Sequence, residues 1–333
     1  MPAVTNYLVS SLPEYVEQNR DLIIKNFALV GTDTRRRIGL RTGVKSGQKI
    51  PFLDFGIVLQ DGSGCAFNAQ DTATLSQRAV SVEVLKHDGQ LCPESLLGTY
   101  AEYLVRVNAT ENDIPYEQYL MDAMTRELNK AIEKLIWQGD KTNGVGNLAV
   151  MDGFLVQLAA DADVIPETIT SGTSAYAGLI QVYAAMPDEA LERGGVIFVA
   201  PAIYRQFLMD MVNMNFYHYS GPQAAAPEEF ILPGTDVKVI KTPGLAGDLN
   251  VVATFADNLF YATDVDGDEA DLDLWWSSDD RVFKWQAKWT SGVSYFFPDQ
   301  IVLGTFAATP TATTPMATTV AAIAECACAE GGE

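Results

Sequence analysis

Three aspartates, Asp264, Asp266 and Asp268, stand two residues apart in the stretch ATDVDGDEADLDLWW, residues 262–276. A calcium loop begins with this spacing, because carboxylates on alternate positions can converge on one ion. Such a loop also needs Gly at its sixth position, for the sharp turn, and a bidentate Glu at its twelfth. Counting from Asp264, those positions hold Glu269 and Trp275. Both requirements fail, and β-type residues follow where a helix should. The stretch reads as an acidic turn between strands, with no metal site.

Other patterns fare no better. GVGNLA, Gly144 to Ala149, fits the dinucleotide fingerprint G-x-G-x-x-A. That fingerprint works only after a strand, where a helix N-terminus meets the pyrophosphate, and here a long helical pattern precedes it. It reads as a linker. Histidine occurs only at His87 and His218, and no G-x-S-x-G, H-E-x-x-H or P-loop pattern is present. With 43 Asp and Glu, no pair of carboxylates stands out as an acid/base couple. Cys65, Cys92, Cys326 and Cys328 form neither a C-x-x-C pair nor a disulfide framework. The N-terminus MPAVTNYLVSSLPEYVEQNRD lacks the basic and apolar regions of a secretory signal, so Asn108-Ala-Thr reads as a chance sequon. No catalytic residue, cofactor or metal ligand is expected, and the chain does not read as an enzyme.

Composition points the same way. The 333 residues are 48% hydrophobic and 20% charged, enough for a sizeable core, and the net charge is −21. So acidic a chain is a poor non-specific binder of nucleic acid, which requires lysine and arginine at the phosphates. No apolar run approaches a membrane span.

The elements follow from periodicity. Residues 10–30 read as an amphipathic helix capped by Ser11, with Leu22, Ile23, Phe27 and Val30 on one side. From Arg35 to Lys49 the chain carries Arg35, Arg36, Arg37, Arg41, Lys45 and Lys49 and no acid. Residues 50–85 hold two β-type runs, IPFLDFGIVL and RAVSVEVL, joined by a Gly-, Ser- and Asp-rich tip. A lone hairpin cannot bury enough surface to be stable, so this one must lean on its own core or on another chain. Residues 113–139 predict a long helix, capped by Asp113 and stopped by Gly139, with Leu120, Met124, Leu128, Ala131 and Leu135 in one stripe. Helices (SAYAGLIQVYAAM, PAIYRQFLMDMVNM) and strands (GVIFVA, DVKVIK) then alternate to residue 250. NLFYAT, LDLWW and RVFKWQAKW are strands, the last two joined by a hairpin turn at SSDD. In the last, Phe283, Trp285, Ala287 and Trp289 face one way, and Lys284, Gln286 and Lys288 the other. A Thr-, Ala- and Pro-rich tail closes the chain.

This order of parts resembles the major capsid protein of tailed phages, the Hong Kong 97-type fold. GVKSGQKIPFLDF is similar to the start of its E-loop, and LKHDGQLCPESLLGTYAEY to the return into the P-domain. IPYEQYLMDAMTRELNKAIEKLIWQGD followed by NLAVMDGFLVQLAADADVI is similar to the spine helix and the approach to the A-domain. NLFYATDVDGDEADLDLWWSSDDRVFKWQAKWTSGVSYFFPDQIVL is similar to the final P-domain strands and the return to the A-domain. The chain departs from some members in having no room for a helical scaffolding segment ahead of the arm, and in running past the last strand.

The resemblance implies an α+β fold with an N-terminal arm (1–38), an extended E-loop hairpin (39–85) and a P-domain (86–146 and 251–298, with its spine helix at 114–138). A mixed α/β A-domain (147–250 and 299–308) and a C-terminal tail (309–333) complete it. It implies self-assembly into hexamers and pentamers of an icosahedral virion shell around double-stranded DNA, put together in the host cytoplasm. A separate scaffolding protein, a portal and a decoration protein are the further partners, and no membrane is involved. An encapsulin-type compartment enclosing cargo enzymes is the alternative. Arg35, Arg36, Arg37, Lys45 and Lys49 are then expected at contacts between subunits, and the tail on a neighbour, with Cys326 and Cys328 as reduced thiols.

Overall fold

The structure, a computed structural model, describes residues 33–45, 47–59, 70–91, 116–214, 229–264, 271–277, 279 and 282–310. The helix expected over 10–30, Asp266, Asp268, Asn108, His218, the four cysteines and the tail from residue 311 lie outside these.

In chain order the strands and helices begin with β1 (Gly39–Arg41), β2 (Gln48–Gly56), β3 (Thr72–Val80), β4 (Glu83–Leu91) and α1 (Tyr116–Gln138). They continue with α2 (Phe154–Ala160), β5 (Ile165–Ile169), α3 (Ala175–Ala185), α4 (Asp188–Glu192), β6 (Gly195–Val199) and α5 (Pro201–Asn213). The last are β7 (Glu229–Ile231), β8 (Lys238–Lys241), β9 (Asn250–Phe255), β10 (Leu259–Ala262), β11 (Asp271–Ser277), β12 (Val282–Tyr295) and β13 (Val302–Phe306).

A six-stranded mixed sheet in the order β5-β13-β9-β6-β8-β7 holds the main core. GVIFV is buried at every position, as a central strand covered on both faces must be. The covering helices carry local start and stop signals. The Ser174 hydroxyl accepts from the Ala177 N–H at 3.3 Å to begin α3, and Met186 in extended conformation, ahead of Pro187, ends it. Pro201 opens α5 at a position where its missing N–H costs nothing. Leu179 and Val182 of α3 and Ile203, Phe207 and Met211 of α5 are buried against the sheet.

A second sheet, β1-β10-β12-β11, has β4 added beside β12. The fourteen residues of β12 serve three partners: β11 along 282–288, β4 along 283–291 and β10 along 292–295. The Ser277↔Val282 register leaves 278–281 as the connection between β11 and β12. Ala287 and Trp289 are buried and Lys288 is exposed, in keeping with the alternation read from the sequence.

The end of α1 joins the two sheets. Trp137 is fully buried, its ring 5.2 Å from that of Phe154 and 5.3 Å from that of Phe198. Gly244 lies so close that a Cβ there would sit 2.3 Å from Trp137 Cδ1 and 2.4 Å from the Glu133 carbonyl oxygen. Gln138 Nε2 donates to the carbonyls of Gly244 (2.7 Å) and Ala246 (3.1 Å). One feature differs from the sequence reading. The run RAVSVEVL breaks at Ser81–Val82, where Gly292 leaves room for the Ser81 carbonyl: a Cβ on Gly292 would meet that oxygen at 2.3 Å. In the six-stranded sheet β9 runs between β13 and β6.

Candidate functional site

The third sheet is a two-stranded ribbon. β2 and β3 pair antiparallel through nine residue pairs, Gln48↔Val80 to Gly56↔Thr72, with no third strand among the described residues. At roughly 3.3 Å per residue the ribbon is about 30 Å long. Beyond its paired end Ile57 is 73% and Leu59 94% exposed, and the Val58 N–H donates to Asp71 Oδ1 at 2.8 Å. Two strands with an apolar exposed end are marginal by themselves. The ribbon depends on its root.

The root is built in two layers. Val44, Val80 and Val82 pack on Phe260 and Ala262, with Ile50 and Phe296 at the margin. The Gly47 N–H donates to the Val80 carbonyl at 2.9 Å and the Val44 N–H to the Thr263 carbonyl at 3.1 Å. Beside this apolar layer lies a polar latch. Arg78, on β3, donates from Nη2 to Asp161 Oδ2 at 2.7 Å, and its guanidinium lies 4.1 Å above the Tyr295 ring. Tyr295, on β12, donates its hydroxyl to the same Asp161 oxygen at 2.8 Å. Asp161 follows α2 directly, so the latch ties the ribbon to β12 and to the end of α2.

The latch shifts the ionisation of its members. Burial works against the Asp161 charge, but hydrogen bonds from Arg78 and Tyr295 outweigh it and hold the carboxyl below the usual range. Burial, with the hydrogen bond to Asp161, pushes the Tyr295 phenol up to about 12.

The five cations expected at subunit contacts occupy two kinds of position. Arg35 is only 6% exposed, with its guanidinium 4.4 Å from the Tyr261 ring centre. Arg37 pairs with Glu229 next to β7. Arg36, Lys45 and Lys49 are exposed, Lys45 and Lys49 at the ribbon root. The Arg35–Arg37 turn is fastened to α1: Thr34 donates to the buried Glu133 carboxylate, and Trp137 Nε1 donates to Thr34 Oγ1 at 2.7 Å. A charge run usually marks a solvated segment, and only tertiary contacts bring Arg35 inside.

Arg78, Asp161 and Tyr295 did not stand out in the sequence, since nothing in their spacing joins them. Gly89 had a usable signal, a glycine inside a β-type run. It faces Trp285 across β4 and β12, and a Cβ there would lie 2.2 Å from the indole. Asp264 lies just past the end of β10, its N–H donating to Thr290 Oγ1 at 2.9 Å. GVGNLA forms a coil and a short 3-10 turn, Gly146–Ala149, after α1. Among the described residues no group of three His, Cys, Asp or Glu side chains converges as metal ligands would.

No family model matches the chain, and no curated protein matches it significantly. Solved structures do. The satellite phage P4 procapsid aligns over 87% of this chain and 98% of its own, with TM-score 0.53 and 10% identity. A chain of Gordonia phage Cozz aligns over 83% and 87%, with TM-score 0.55 and 9% identity. The capsid of an empty GTA particle aligns over 83% and 90%, with TM-score 0.53 and 13% identity. At such identities the likeness lies in the path of the backbone, not in the residues. The chain has the Hong Kong 97-type capsid fold.

Proposed function

We propose that this chain is the major capsid protein of a tailed phage. It has no catalytic role, and it assembles with copies of itself into hexamers and pentamers of an icosahedral shell enclosing double-stranded DNA. The observation that carries this reading is the ribbon. Nine residue pairs project from the body on a latched root and end in exposed Ile57 and Leu59, an arrangement that makes sense when a neighbouring copy covers it. Solved chains similar over most of their length come from a satellite phage procapsid, a Gordonia phage and the capsid of a GTA particle.

The charge balance fits the same role. A net charge of −21 lets a shell surround DNA without gripping it. The exposed cations Lys45 and Lys49 lie at the ribbon root and Arg36 on the turn fastened to α1, where they would meet the acidic surface of a neighbour and set encounter and register. Arg35 and Arg37 hold the turn that presents Arg36. A scaffolding protein, a portal and a decoration protein are the expected additional partners, with assembly in the host cytoplasm before packaging.

The test is sedimentation of the Ile57→Asp/Leu59→Asp double variant beside the wild type. Both residues are exposed, so the isolated fold should lose less than about 0.5 kcal/mol. Wild type should form fast-sedimenting particles, and the variant should remain as folded, slowly sedimenting protein. Normal particles from the variant would remove the ribbon end from the assembly surface.

A further inference from the structure

The ribbon has two outer edges, and its sequence treats them differently. Pro51 sits in the middle of β2, directly opposite Gln77 of β3. Proline has no N–H, so within a paired strand its nitrogen faces away from the ladder. Residues directly opposite each other in an antiparallel pair turn their backbone groups the same way, both towards the partner or both away. Gln77 therefore points its N–H and C=O outward, and by alternation so do Ala73, Leu75 and Ala79. The root agrees: the next carbonyl, that of Val80, points inward and accepts from the Gly47 N–H at 2.9 Å.

Along β2 the outward edge is blunted. Pro51 removes a donor and Lys49 is exposed, two devices that keep other strands off. β3 has neither. It contains no proline, its one charged residue, Arg78, is tied to Asp161, and no third strand pairs with it among the described residues.

We propose that the β3 edge pairs with the β3 edge of a second copy of this chain, antiparallel about a two-fold axis at Ser76. The pairing rests on the reading of the chain as a self-assembling shell protein and names one of its contacts. Two observations select a second copy. First, β3 is self-complementary in this register. Ala73 meets Ala79 and Leu75 meets Gln77, so outward groups face outward groups and form about eight hydrogen bonds across the axis. Arg78 lies opposite Thr74, so no like charges oppose. Two marginal ribbons become one four-stranded sheet.

Second, the charges at the two ends match. Asp71, exposed one residue before β3, comes level with Ser81 of the second copy. The exposed Lys45 and Lys49 at that copy's root then lie about two strand spacings away, roughly 10 Å, within reach of a lysine side chain. The symmetry makes this contact at both ends.

Photo-cross-linking tests the register. It uses Gln77→p-benzoylphenylalanine, an exposed position, in ¹⁵N-labelled and unlabelled full-length protein mixed before assembly. The expected products join residue 77 to residues 73–79 of a chain of the other isotope. Products within one isotope only, or to any other element, would overturn the pairing. Gln77→Pro tests the edge itself, because it removes an outward N–H and leaves the ladder with β2 whole. Each two-fold contact loses two edge bonds, so particle yield should fall by about tenfold or more. Gln77→Ala should assemble normally. Normal yield from Gln77→Pro would overturn the pairing equally, and the cross-links decide the matter if that variant melts below wild type. Wild-type protein that stays monomeric would remove the shell reading and the pairing with it, whereas shells in which residue 77 meets another surface would remove the pairing alone.

Discussion

Replacing Asp161 by Asn preserves shape and removes the charge on which the ribbon latch converges. One carboxylate oxygen accepts from Arg78 at 2.7 Å and from Tyr295 at 2.8 Å, and the other accepts the Asp163 N–H at 3.2 Å. An amide has one acceptor oxygen, so its NH₂ group must face either Arg78 or the Asp163 N–H, donor against donor. A hydrogen bond to a charged group contributes ~1.5–3 kcal/mol. The guanidinium keeps its place over the Tyr295 ring, which retains ~0.5–1 kcal/mol. The side chains are 25% and 18% exposed, so solvent screening trims the gain only in part. The expected cost of Asp161→Asn is therefore about 2 kcal/mol at pH 7, borne by the root of the ribbon.

Hydrogen exchange reads this locally. Opening of the Gly47 to Val80 pairing should become roughly 30-fold more frequent in the variant. The sign with pH follows from the depressed Asp161 pKa. Its contribution is fully present above the unfolded value of about 4 and is lost as pH falls through the lower folded value. The gap between wild type and variant should thus close on acidification below about pH 4. Tyr295 acts at the other end: its raised pKa stabilises the fold below about pH 10, and that contribution is lost as pH rises towards 12. Equal exchange in the two proteins at pH 7, or a gap that does not narrow as pH falls below about 4, would refute the latch.

Other outcomes follow from the same packing. Gly89→Ala should force the Trp285 indole off β4 and cost about 1–3 kcal/mol in thermal or urea denaturation, whereas Gly172→Ala, in open space, should cost only its left-handed backbone strain. Thr34→Val should lower stability by about 2–3 kcal/mol, because the buried Glu133 carboxylate loses a donor and Trp137 Nε1 its acceptor. Replacing Arg36, Lys45 and Lys49 together by Gln should leave the melting temperature of unassembled protein within about 2 °C while slowing particle growth in light scattering, most of all at low salt.

Much of the fold was legible because its signals are local. The apolar stripe and flanking cap and stop residues mark the helix that spans Tyr116–Gln138, and an unbroken apolar run marks β6. Pro187 and Pro201 punctuate the helices at the positions that backbone sterics require. What was not legible depends on distant contacts. Nothing near Arg35 announces Tyr261, nothing near Arg78 announces Asp161, and a conventional reading puts both arginines in solvent. The break at Ser81–Val82 depends on Gly292, and the placement of β9 depends on β6 and β13 flanking it. The opening aspartates show the opposite case, a chemical pattern in sequence that its neighbours, Glu269 and Trp275, already argue against.

The most direct measurement is electron cryomicroscopy of the purified full-length protein, expressed alone and with a scaffolding protein. The account predicts closed icosahedral shells of hexamers and pentamers, in which the Gln48–Val80 ribbon of each copy lies across its neighbour and Ile57 and Leu59 are covered. A protein that remains monomeric at high concentration under both conditions, or that assembles with the ribbon ends in solvent, would contradict it.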